Sequence, residues 1–466
     1  MTSETRGAEL PHIAAADPQV LAKERETLKA LSTQGALTRF KGYLSLSGPG
    51  WLQSAFTLGG GSAVASLYLG AHYGYELMWV QPLAMVVGII MLNAAAHQTL
   101  SSGMRPFQAM YRFIHPVVAW AWAIATLVAS IVFILPQFSL AAGVVEDMTN
   151  LFAGSSPSGV GRTTYLLAIG LVILIISTGI TWNYGRGIRG IRIYERTLKV
   201  FIWIIILAFG LVVVQGTFTG NVDWGAVASG LIPTSIPRDV QGVTTVMGAF
   251  GAAVGINMTF LFGYSLLARG WGREHRGLAR FDLVTGMLLP YAIVTSLVII
   301  AAASTIYGTE FAPQQILPAN AGVLIGASGV GEFTGRVVFA LGVLGMALST
   351  ITLCMIVAGF AVCELFGWEA EGWRYRLGCL VPAPGFLGVI LWETMGTWVA
   401  LPAFTIGLVM LPIAYISWFI LQNNSKLLGD DRPQGMSAVR WNAAMGVALT
   451  VTLVSVGYTL WTRFLA

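Results

Sequence analysis

The sequence predicts an all-α integral membrane protein, a bundle of eleven transmembrane helices. Three observations carry that expectation. Hydrophobic residues make up 56% of the 466-residue chain and charged residues 10%, against about 25% charge in soluble domains. The apolar residues gather in eleven long stretches, and about 20 residues of helix suffice to cross a bilayer. The arginines and lysines crowd into every second connector. In hydrocarbon each stretch must close its backbone hydrogen bonds within itself, which makes helix the assignment throughout.

In chain order the expected spans are 44–70, 77–97, 114–145, 163–182, 198–217, 240–268, 283–306, 334–364, 379–394, 397–422 and 441–463. The third, sixth and eighth are long, so each is tilted, kinked or projects beyond the bilayer. Arg39 and Lys41 precede the first span. Arg105 and Arg112 follow the second, and Arg186, Arg189, Arg192, Arg196 and Lys199 follow the fourth. Arg269, Arg273, Arg276 and Arg280 follow the sixth, Arg374 and Arg376 the eighth, and Lys426, Arg432 and Arg440 the tenth. The alternate connectors hold Arg162, Arg238 and Arg336 beside Glu146, Asp147, Asp223, Asp239, Glu310 and Glu332. That alternation places the N-terminus in the cytoplasm and the C-terminus outward, in a bacterial inner (plasma) membrane. Residues 1–43 are expected as a cytoplasmic tail with a short surface helix over about 17–31. No apolar signal core precedes the first span.

These features exclude several function classes. The net charge of +5 is placed for phospholipid headgroups, not nucleic acid. Cys354, Cys363 and Cys379 are too few and too apolar in context for a disulfide scaffold or thiolate cluster. No phosphate-cradling loop and no nucleophile–base pair is present, so the chain is not read as an enzyme and no cofactor is expected. The expected assembly is a monomer or weak dimer.

Two spans carry signs of a break. The first reads Gly48-Pro-Gly-Trp-Leu-Gln-Ser-Ala-Phe-Thr57-Leu-Gly59-Gly60-Gly61-Ser62. Each of its three consecutive glycines loses about 1 kcal/mol of helix propensity relative to alanine. Unwinding there bares carbonyls of one half-helix and amides of the next near mid-membrane, a place for an ion or polar solute. Ser62 and Ser66 are placed to cap or line the second half. The sixth span reads Gly251-Ala-Ala-Val254-Gly255-Ile-Asn257-Met258-Thr259. There Asn257 brings an amide that needs a partner in hydrocarbon, either another helix or a solute with its water. The breaks lie five spans apart, the spacing of two inverted five-helix halves. Residues 44–217 form the first half and 218–422 the second, leaving 423–466 as connector and last helix.

Gly48-Pro-Gly-Trp-Leu, with Gly70-Ala-His-Tyr-Gly74 after it, resembles the first-helix region of the Nramp divalent-metal transporters. Asn423-Asn-Ser-Lys-Leu-Leu-Gly429, with Arg440-Trp-Asn442, resembles their tenth-to-eleventh connector. The resemblance implies the amino-acid/polyamine/organocation transporter fold, a 5+5 inverted repeat working by alternating access. It also exposes departures. Typical members carry Asp-Pro-Gly-Asn where this chain has Gly59, Gly60, Gly61 and Ser62. Their sixth-helix alanine and Met-Pro-His fall on Val254 and on Asn257, Met258 and Thr259, or Met258 is the methionine in a register shifted by one. The third span offers Gln137 instead of an acid.

The expected binding residues are therefore Thr57, Gly59, Gly60, Gly61, Ser62, Val254, Asn257, Met258 and Thr259, with Gly59, Ser62 and Asn257 nearest a metal. His97, Gln137 and Glu393 are candidates for relay or gating, and Arg186 or Glu195 for a latch. Such a cavity is nearly neutral. It suits a divalent cation held weakly or partly hydrated, magnesium before manganese or iron, since magnesium keeps its water. The alternative is a small organic solute such as an amino acid, its carboxylate on the helix-end amides.

Overall fold

The computed structural model describes residues 18–154, 157–184, 188–234, 236–237, 240–309 and 318–464, and every regular element among them is helical. Two helices, α1 (Pro18–Ser32) and α2 (Ala36–Leu46), precede the first broken span. The segment expected as a tail is therefore docked: Leu28, Leu31 and Glu24 are buried. The first span is α3 (Pro49–Thr57) followed by α4 (Gly60–Tyr73). Pro49 starts α3 at its first turn, where its missing N–H costs nothing.

Helix α5 (Val80–Ser102) ends at Gly103, whose φ of 66° is open to glycine without strain. The short α6 (Pro106–Phe113) leads into α7 (Pro116–Ala153), which carries Pro136 in its interior. That proline removes one internal hydrogen bond immediately before Gln137. Next come α8 (Val160–Tyr184), α9 (Ile188–Phe218) and the short α10 (Trp224–Gly230). The sixth span is broken into α11 (Val240–Ala253) and α12 (Ile256–Ala268). Helix α13 (Arg276–Asp282) continues through a π-helical stretch, Leu283–Leu288, into α14 (Leu289–Thr305). After α15 (Pro318–Ile325), α16 (Phe339–Phe366) runs to Gly367, another left-handed glycine at φ 65°. The chain closes with α17 (Gly372–Cys379), α18 (Gly388–Gln422), α19 (Ser425–Leu428) and α20 (Gly435–Phe464).

Seven described helical segments are long and apolar enough to cross a membrane, and an eighth pair qualifies with a 67° bend between Gln422 and Ser425. The halves of the two broken spans are individually too short to be counted that way. One expectation is corrected. The hydropathy pattern predicts separate spans over 379–394 and 397–422, yet α18 runs unbroken from Gly388 to Gln422. Gly396 alone does not stop a helix, and no cluster of turn residues accompanies it.

Helices α7 and α16 pack along each other; both touch α4 and α12, and α16 also touches α3. Close approach uses small residues: on α16, Gly342 faces Phe209 and Gly345 faces Ile205 of α9. Helix α3 packs on α12 and α4 on α11, so the two breaks lie side by side against the α7–α16 pair.

Candidate transport site between two broken helices

The first break is short. Leu58 N–H still closes on Ser54 O at 2.9 Å, and Ala63 N–H opens the next helix on Gly59 O at 3.1 Å. Between them Leu58 (φ −77°, ψ 56°) and Gly59 (φ −107°, ψ −174°) leave the helical region. Gly59 is extended backbone that any residue adopts, so torsion does not demand glycine here. Packing does: a Cβ on Gly59 would overlap Thr350 Oγ1, and one on Gly60 would overlap Leu140 Cδ1. The second break falls at Val254–Gly255, with Asn257, Met258 and Thr259 in the first turn of α12.

Between the breaks lies a cavity of about 30 Å³. One water needs about 10–15 Å³ of such space, so this holds two waters or a small ion keeping part of its shell. Among the predicted residues, Thr57, Gly59, Gly61, Ser62, Gln137, Asn257 and Met258 line it. Phe56, Phe133, Gly255 and Thr350 join them from positions the sequence did not single out. None of the lining residues is acidic or basic, and the described residues hold no cluster of three His, Cys, Asp or Glu that could bind a metal.

The hydrogen bonds give this neutral cavity a polarity. Thr57 Oγ1 donates to Ala253 O at 2.7 Å, tying the first break to the second. Ser62 Oγ donates to Thr57 O at 2.7 Å or to Gly59 O at 2.9 Å. Thr350 Oγ1 donates to Phe56 O at 3.4 Å. A hydroxyl has one proton and two lone pairs. A proton turned to its backbone carbonyl leaves each of these oxygens with lone pairs able to accept. Gly60 N–H, an amide exposed by the break, donates to Gln137 Oε1 at 2.9 Å. Asn257 Nδ2 lies 4.0 Å from Cys354 Sγ, and its Oδ1 accepts from Met258 N–H at 3.2 Å.

Several expected residues lie elsewhere. Thr259 accepts from Trp122 Nε1 at 3.1 Å and donates to Ile256 O, so it ties α7 to α12 outside the cavity. Val254 is buried against Gly88 of α5. Gly60 contributes its N–H to Gln137 and does not line the space. Gln137 itself lines the cavity and accepts the Gly60 N–H at the start of α4. His97 sits at the junction of α5, α18 and α20, with Nδ1 3.3 Å from Gln422 Nε2 and its ring near Trp441. The side chain of Glu393 and all of Arg186 lie outside the described residues.

Glu195 belongs to a buried charge network at the arginine-rich end. Arg269 Nη1 meets Glu195 Oε2 at 2.9 Å, and Arg269 Nη2 donates to Leu46 O at 3.0 Å. Lys199 Nζ donates to Ser47 O at 2.8 Å. Gly48 N–H and Gly50 N–H both donate to Asp282 Oδ2, at 3.1 and 2.7 Å. The start of α3 is thus gripped by α9, α12 and α13. Arg105 and Tyr264 close the same end on Glu364, at 3.0 and 2.5 Å. At the opposite end Arg336 pairs with Asp147 at 2.7 Å and Arg162 with Glu146 at 2.7 Å.

Residues 50–462 match the family described as natural resistance-associated macrophage protein-like, or Nramp. This chain belongs to that family. It is 26% identical over 370 residues to a divalent metal cation transporter, MntH, of Deinococcus radiodurans, covering 75% of each chain. A divalent metal cation transporter, MntH, of Brucella suis is 24% identical over 433 residues, covering 89% of this chain and 88% of its own. Among solved structures, a manganese transporter of Eremococcus coleocola superposes with a TM-score of 0.72 at 14% identity, over 92% of this chain and 90% of that one. A nucleobase-cation-symport-1 family transporter superposes at 0.55 and 14% identity, over 89% and 91%. The fold is the one expected, that of the amino-acid/polyamine/organocation transporters. This Nramp chain is a multi-pass membrane transporter and not an enzyme.

Proposed function

We propose that this Nramp chain carries a divalent metal ion by alternating access, binding it through neutral oxygens while the ion keeps part of its water. The observation that carries the reading is the set of three lining hydroxyls, Thr57, Ser62 and Thr350, each within reach of a backbone carbonyl that can take its proton. A space lined by acceptors attracts a cation. The names of its relatives point the same way. Without a carboxylate, full dehydration of a small divalent ion is not compensated, so magnesium, bound partly through outer-shell water, is favoured over manganese or iron. Met258 is a soft ligand on one side of the space, too little alone to select a transition metal.

An amino acid fits less well. Its carboxylate needs amide donors at the start of α4, and Gly60 N–H is already engaged by Gln137. A space that takes about two waters is also small for an amino acid. In our reading residues 44–217 and 218–422 are the two inverted halves, and the arginine-rich end with its charge network faces the cytoplasm.

Uptake into proteoliposomes tests this. Magnesium, manganese and calcium are offered in turn, followed by pooled amino acids. Saturable magnesium uptake with weak competition by manganese is expected. Amino-acid uptake indifferent to all three ions would replace this reading with the organic one.

A further inference from the structure

We propose that α16 supplies the third wall of the cation site, with Thr350 as a specificity-determining ligand. The proposal rests on the cation reading above. Thr350 is 3% exposed and lines the cavity from a helix that carries neither break. It touches the first break twice: its hydroxyl reaches Phe56 O at 3.4 Å, and it occupies the space a Cβ on Gly59 would need. One helical turn on, Cys354 Sγ faces Asn257 Nδ2 at 4.0 Å. Residues four apart share a helix face, so one face of α16 touches both breaks.

Two consequences follow from that contact. Gly59 has no side chain, so Thr350 provides the oxygen on that side of the cavity. The Thr350 side chain also packs directly on the Gly59 backbone, so its size bears on the shape of the break. The ligand class is an oxygen-coordinated divalent cation.

Thr350→Val keeps the volume and removes the oxygen, whereas Thr350→Ser keeps the oxygen. With magnesium uptake as the probe, T350V should raise KM tenfold or more with kcat within twofold, and T350S should stay within threefold of wild type. A KM for T350V within twofold of wild type overturns the proposal. So does T350S behaving like T350V, which would make the role one of volume alone. Gly59→Ala should lower the melting temperature, and adding Thr350→Ala should recover most of that loss, since the remaining contact is 3.2 Å to the residue 350 Cβ. No recovery overturns the assigned contact. A wild-type protein that moves no divalent ion sinks the cation reading and this proposal together; uptake indifferent to residue 350 sinks this proposal alone.

A separate observation carries a second inference. Helix α1 lies before residue 50, where the family match begins, yet its Glu24 is buried at 8% exposure. Glu24 Oε1 is 2.6 Å from Arg192 Nη2 and 3.7 Å from Arg269 Nη2, and Arg269 holds Leu46 O at the α2–α3 junction. Arg25 adds a pair with Glu274 at 2.5 Å. We infer that α1 is a strap that keeps the arginine-rich end shut by holding Arg269 against the start of α3. A cysteine placed at buried Ser54 of α3, with Cys354, Cys363 and Cys379 changed to serine, reports opening through its alkylation by a membrane-impermeant maleimide. Glu24→Ala should speed alkylation at least fivefold and Glu24→Asp less than twofold. An unchanged rate in the E24A protein overturns the strap.

Discussion

Gln137→Met removes one hydrogen bond at the point where α4 begins. Gln137 is 1% accessible, and its Oε1 accepts the Gly60 N–H at 2.9 Å. Methionine fills nearly the same volume without a comparable acceptor. The Gly60 amide, buried and at the open end of α4, is then left unpaired. Orphaning a buried donor costs about 1–3 kcal/mol. Taking about 2 kcal/mol, the present arrangement of the break loses about 30-fold in population against arrangements that hydrate the amide. Amide hydrogen exchange over residues 57–63, measured by mass spectrometry in detergent micelles, should accelerate by about that factor. Peptides from α8 and α20, remote from the break, should exchange as in wild type. Exchange over 57–63 that is unchanged would show that Gln137 does not hold the helix end.

Thr57→Val removes the side-chain bond that links the two breaks together with one cavity oxygen; we expect magnesium KM to rise by about tenfold, equivalent to about 1.4 kcal/mol, in the same uptake assay. Thr259→Val strands the buried Trp122 N–H and should cost about 1–3 kcal/mol of stability while leaving KM unchanged, because Thr259 stands outside the cavity. Asp282→Ala leaves the Gly48 and Gly50 amides without their acceptor. Thermal unfolding should show a loss of about 2–4 kcal/mol, and Asp282→Asn, which keeps an acceptor, a smaller one.

The two breaks are legible in the sequence because glycines in a row weaken a helix wherever they fall, and here they fall inside apolar spans. Their neighbours are less so. Thr350 and Phe133 sit in ordinary apolar helices, and nothing local to them says that a cavity lies alongside; only the packing of α16 and α7 against both breaks puts them there. In sequence Thr259 reads as a ligand because it follows Asn257 and Met258. Helical rotation turns it instead toward Trp122, a partner 137 positions away. The glycines, too, serve a different purpose from the one their propensity suggests. Conformational freedom is not what the first break demands; Thr350 and Leu140 press on the backbone and leave no room for a Cβ on Gly59 or Gly60. The interruption at Ser47–Gly48 is hidden in the sequence because the apolar stretch read as the first span, 44–70, runs straight through it. The amides of Gly48 and Gly50 find their acceptor in Asp282, far along the chain.

The most direct test of a neutral, acceptor-lined site is magnesium uptake into proteoliposomes at a set membrane potential, with internal pH recorded in the same vesicles. With no carboxylate in the cavity to take up a proton, an inside-negative potential should drive magnesium inward while internal pH stays level. Uptake that needs an imposed pH gradient and acidifies the interior, or no magnesium flux at any potential, would contradict the account.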